Sequence, residues 1–173
     1  MRKILRAAAI AASSGALALM TTPAAAIGPN QNSTATARLV KPLTLTYVRD
    51  LNLGTIVLSG PGAWTGANVA ISRAGAFSCA NSNLTCSGAT QTAQYRVTGT
   101  NNQTVTVSAP NVTMTNQNDG VSTLVLTVDN PATLNLANSG TAGLTFDLGG
   151  QITVASTTPD GTYAGTFNVT VKY

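Results

Sequence analysis

Tyr163-Ala164-Gly165-Thr166-Phe167-Asn168-Val169-Thr170-Val171-Lys172-Tyr173 decides how this chain reads. Successive side chains of an extended strand point to opposite faces. Tyr163, Phe167, Val169, Val171 and Tyr173 therefore share one face, with Gly165 as a gap. Thr166, Asn168, Thr170 and Lys172 share the other. That alternation predicts a half-buried strand. Chain ends fray unless something ties them down. Five large apolar groups at the end of the sequence thus predict a strand that docks in a core or in a partner.

The same alternation recurs upstream. Leu43, Leu45 and Tyr47 alternate with Thr44 and Thr46, and Val69 alternates into Ile71. Tyr95 and Val97 run to Gly99 and the pair Asn101-Asn102, after which Val105 and Val107 return; this predicts a hairpin. Leu124, Leu126 and Val128 enter the turn Asp129-Asn130-Pro131, and Leu134 and Leu136 follow. Leu144, Phe146 and Leu148 stop at Gly149-Gly150, and Ile152 and Val154 begin a new run. Pro159-Asp160-Gly161 has turn chemistry, since Pro presets φ and Gly accepts φ above zero. No stretch repeats apolar groups at helical spacing, and there is no internal repeat. The expectation is an all-β chain: one antiparallel, immunoglobulin-like β-sandwich of about eight to ten short strands.

The amino-terminal end reads as a processing segment. Arg2, Lys3 and Arg6 precede the small-residue apolar run Ala7 to Met20, and Ala24-Ala25-Ala26 supplies cleavage-site residues. Residues 1–26 are expected to be a cleaved signal peptide, with the product exported to the periplasm, cell surface or medium. Residues 27–37 read as a flexible extension and residues 38–173 as a single sandwich domain. The apolar run is shorter than a bilayer span requires, and no later run approaches that length, so no membrane span is expected.

Losing the leader removes three of the nine basic residues, which leaves six against five Asp. A nearly neutral chain without a basic stripe gives no basis for nucleic-acid binding. The chain has no His and no Glu. The usual general base and the commonest metal ligand are therefore missing, and no enzyme, metal or cofactor is expected. Asn116-Gln117-Asn118-Asp119-Gly120 starts like a calcium loop but lacks the closing Glu, so it reads as a polar turn.

Cys79 and Cys86 form an even, close pair, which in an exported chain reads as a disulfide. Their loop is either a pinned surface excursion or a stapled ligand contact. Trp64, between Gly62 and Gly66, is either a hydrophobic plug at the end of the sandwich or a candidate ligand contact on an exposed loop.

Pro42-Leu43-Thr44-Leu45-Thr46 with Asp50-Leu51-Asn52-Leu53-Gly54-Thr55-Ile56 resembles the opening of the bacterial family called domain of unknown function 4402. Tyr95-Arg96-Val97-Thr98-Gly99 resembles its central strand. Gly149-Gly150-Gln151-Ile152-Thr153-Val154 and Gly161-Thr162-Tyr163 through Val171 resemble its close. The resemblance implies an exported bacterial protein and carries no catalytic residues. The end of the chain also resembles pilin subunits of the chaperone–usher type. These carry an alternating last strand, an aromatic near its end and a Gly twelve positions earlier, as with Tyr173 and Gly161 here. That resemblance implies self-association, or a chaperone or assembly partner, through strand addition. Two functions follow as expectations: a fimbrial or adhesive surface subunit, or a monomeric module that binds a glycan or matrix ligand.

Overall fold

The structure, a computed structural model, describes residues 28, 30–137 and 142–173. The expected leader, residues 1–26, lies outside the described residues. Residue 28 and residues 30–37 are exposed and belong to no strand. Arg38–Tyr173 forms one compact unit.

That unit is all-β, with no helix among the described residues. Its strands are β1 (Thr44–Arg49), β2 (Thr55–Leu58), β3 (Ala67–Ile71), β4 (Phe77–Ser78), β5 (Leu84–Ser87), β6 (Ala93–Thr98), β7 (Thr104–Ser108), β8 (Val112–Asn116), β9 (Thr123–Asp129), β10 (Thr133–Asn135), β11 (Leu144–Val154), β12 (Tyr163–Ala164) and β13 (Thr170–Lys172). Every pairing is antiparallel. The large sheet runs β1-β6-β11-β9-β8-β12, with β3 joined to β11 and β4 to β3. Two small sheets complete the fold, β10-β7-β13 and β2-β5.

Alternation builds the core. Val105 and Val107 of β7 pack with Val97, Phe146 and Leu148 from the large sheet, and Leu134 and Val171 pack against them. Leu84 of β5 packs with Val69, Leu126, Ile152 and Val154, and Ile56 and Leu58 pack against that group. Leu51, Val128 and Phe167 touch both groups and make them continuous. Each small sheet thus covers one half of the large one, which is sandwich architecture. Removing a side chain such as Leu136 or Leu148 from water contributes about 1.5–3 kcal/mol.

Three expectations need correction. Strands β6 and β7 do not form a hairpin. Strand β6 pairs with β1 and β11, while β7 pairs with β10 and β13. The Asn101-Asn102 turn, with Asn102 at φ 56°, carries the chain from one layer to the other. Gly149-Gly150 does not end a strand either. Strand β11 runs through both glycines and changes partner there, from β6 to β3. A Cβ at Gly149 would collide with the Ile71 carbonyl oxygen, and one at Gly150 would lie 2.8 Å from Leu126 Cδ1. Close packing is what these glycines permit. Finally, the closing run is two short strands. Tyr163–Ala164 pairs with β8 and Thr170–Lys172 with β7. Residues 165–169 carry the chain between the layers, and the described residues form thirteen strands where about eight to ten are expected.

Candidate functional site

The closing segment keeps its alternation across that break. Tyr163, Phe167, Val169 and Val171 are half-buried, and the residues between them are exposed. Phe167 packs against both core groups, and Val169 and Val171 against the group under β7. Strand β13 is an edge: among the described residues it pairs with β7 alone. Among the described residues no strand pairs with its second row of main-chain groups, the arrangement that accepts another strand.

Tyr173 fastens the end of that segment. Its hydroxyl donates to the Lys41 carbonyl oxygen at 2.6 Å and accepts from the Thr100 amide at 2.7 Å. The Lys41 amide donates to Thr100 Oγ1 at 2.5 Å. One phenol therefore joins the lead-in to β1, the corner after β6 and the end of β13. Tyr173 as a whole stays 45% exposed. A Cβ at Gly99 would lie 2.7 Å from both the Tyr173 hydroxyl and Leu43 Cδ2, so glycine there makes room for the clasp.

Gly161 has a local role that its spacing from Tyr173 did not reveal. Its φ is 144°, and a Cβ there would collide with Asn116 Oδ1. Asn116 is wholly buried. Its Nδ2 donates to the Asp160 carbonyl oxygen at 2.9 Å, and its Oδ1 accepts from the Asn118 amide at 2.9 Å. A buried carboxamide is tolerated because both ends are bonded. The pair ties the turn before β12 to the end of β8.

Cys79 and Cys86 are at disulfide-bonding distance, with Cα atoms 6.4 Å apart. Cys79 follows β4 of the large sheet and Cys86 lies in β5, so the bridge crosses between layers. Trp64 packs on the same core group as both cysteines. Ser156 holds its main chain: the Trp64 amide donates to Ser156 Oγ at 3.1 Å, and the Ser156 amide donates back at 3.0 Å. The indole N–H is enclosed and has no hydrogen-bond partner among the described residues. That position resembles the plug, with the polar end of the ring turned away from solvent.

Sequence reasoning missed a polar network on the outer face of β1, β6 and β11. Asp147 Oδ1 accepts from Arg49 Nη2 at 3.0 Å, Thr92 Oγ1 at 3.0 Å and Gln94 Nε2 at 3.1 Å. Arg49, Gln94 and Asp147 lie in register across the three strands, a fact that no local motif announces. Behind them Tyr47, Tyr95 and Phe146 form an aromatic row, with centroids 6.1 and 6.0 Å apart. Burial, and then Asp50, raise the phenol pKa of Tyr47 and of Tyr95. In the Asn116–Gly120 turn the Ser122 hydroxyl and the Val121 and Ser122 amides hold the Asp119 carboxyl below its ordinary value. That carboxylate is spent on its own loop, and the described residues contain no group of three metal ligands. No helix among them is long and apolar enough to cross a membrane.

The family model described as "Domain of unknown function (DUF4402)" matches residues 43–173, from the lead-in of β1 to Tyr173. No curated protein and no solved structure matches the chain.

Proposed function

We propose that this chain, which belongs to the DUF4402 family, is an exported structural subunit of a surface fibre or adhesive coat. Subunits would associate by strand addition, the added strand coming from a second copy. The observation that supports this reading is the segment from Phe167 to Lys172. It keeps an apolar face only half-buried and leaves one hydrogen-bonding edge unpaired. An added strand would complete that edge and cover that face, with main-chain bonds giving affinity and alternate side chains setting register. Residues 30–37 stand outside every strand and alternate Ala35 and Ala37 toward Leu39, so they are the proposed donor.

The test is size-exclusion chromatography with light scattering on residues 27–173 and on the chain lacking residues 27–37. The full mature chain is expected to form multimers that the shortened one does not. Multimers of the same size from both would remove the donor, and a strictly monomeric mature chain would remove the fibre.

A further inference from the structure

The outer face of the large sheet holds a depression unrelated to the closing strand. In register across four adjacent strands stand Ser78 of β4, Ala70 of β3, Gln151 of β11 and Thr127 of β9. At about 4.8 Å per strand this row is roughly 14 Å long. Ala70, the smallest of the four, leaves the middle low. The loop after β3 forms one wall, closed by the Ser72 amide donating to the Ala76 carbonyl oxygen at 2.9 Å and the Ala76 amide donating to Ser72 Oγ at 3.2 Å. The cavity measures about 460 Å³.

Its chemistry is specific. The hydroxyls of Ser78 and Thr127 and the carboxamide of Gln151 have no partner among the described residues. Each can both donate and accept. The charges at the rim cancel: the Arg73 amide donates to Asp129 Oδ2 at 2.9 Å, and the Arg73 guanidinium lies 3.9 Å from Asp129 Oδ1. A charged ligand would meet no net field. Strands β3, β11 and β9 under the middle of the depression each have a neighbour on both sides, so an extended peptide lying over them would find no main-chain ladder to join. A ligand made of neutral hydroxyls and ring C–H groups meets what is offered, with hydroxyls on Ser78, Thr127 and Gln151 and C–H groups on the methyls of Ala70 and Ala76.

The geometry points to this depression as a binding site for a neutral oligosaccharide of roughly two or three rings. It lies apart from both Trp64 and the β13 edge, and it gives the coat subunit an adhesive surface.

The experiment is an amide NMR titration of residues 38–173, the compact unit without the proposed donor segment, with cellotetraose, maltotetraose and chitotetraose in turn, with an acetylated Thr-Ala-Thr-Ala peptide as the competing class. The expected result is millimolar binding of at least one sugar, with shifts centred on Ala70, Thr127 and Gln151. Ala70→Tyr fills the depression and should weaken that binding about tenfold, or 1.4 kcal/mol. Thr127→Val keeps the shape, removes a hydroxyl and should weaken it several-fold while the spectrum stays that of the parent. Three results would each overturn the site: no shifts with any sugar, shifts centred on Trp64, or shifts at the depression from the peptide alone. Unchanged affinity in Thr127→Val and in a folded Ala70→Tyr would do the same.

Discussion

Tyr173→Phe removes one oxygen atom and leaves the ring in place. The hydroxyl makes two hydrogen bonds, to the Lys41 carbonyl oxygen and from the Thr100 amide. Such bonds contribute about 0.5–1.5 kcal/mol each, and the half-exposed setting lets water replace part of them. The expected loss is therefore about 1–2 kcal/mol. For a domain of this size that lowers Tm by roughly 3–8 °C. Tyr163→Phe is the control, because its hydroxyl makes a single local bond to the Pro159 carbonyl oxygen at 2.8 Å. It should cost less than half as much. Urea unfolding gives the stability, and amide exchange gives the location. Thr100 and the amides just before β1 should lose protection in Tyr173→Phe and keep it in Tyr163→Phe. Equal stability of Tyr173→Phe and the parent, with unchanged exchange at Thr100, would refute the clasp.

Val169→Asp places an unpaired carboxylate on the face that packs under β7, and should destabilise by about 2–3 kcal/mol; a variant as heat-stable as the parent would show that this face does not point inward. Reducing the Cys79–Cys86 bridge should cost about 2 kcal/mol by lengthening the open chain, and should shift Trp64 emission to the red as its core group loosens; unaltered emission on reduction would separate the bridge from Trp64. Asp119 has a lowered carboxyl pKa in the folded state, so its contribution is complete above the ordinary carboxylate range and is lost as pH falls through the lowered value. The amides of Val121 and Ser122 should therefore lose protection on acidification, and Asp119→Asn should remove that dependence. Protection that ignores pH down to the acid limit would contradict this bonding.

Strand alternation is a local property, and so the all-β class is legible in the sequence; of the five residues read onto one face of the closing segment, Phe167, Val169 and Val171 pack on the core, while Tyr173 is exposed. Spacing was also enough for Cys79 and Cys86, because only six residues separate them. Partner choice was not legible. The corner after β6 has hairpin chemistry at Asn101-Asn102, yet the chain turns there into the other layer, where Val105 and Val107 find the apolar side of β11. Gly149-Gly150 reads as punctuation because two glycines commonly end a strand. In β11 they are instead the places where Ile71 and Leu126 come too close for a side chain. Arg49 and Asp147 are joined across strands far apart in sequence, and Ser78, Ala70, Gln151 and Thr127 share a row only through register. Register depends on the assembled sheet, and no window of sequence contains it.

In the proposed assembly the segment from Phe167 to Lys172 turns one face to the core and leaves one edge open for a second copy. Amide exchange by residues 167–172, followed in dilute monomer and in assembled material, tests it most directly. The account predicts exchange at the outward-facing amides of β13 in the monomer and strong protection after assembly. Full protection of those amides in dilute monomer, or exchange that does not change on assembly, would contradict it.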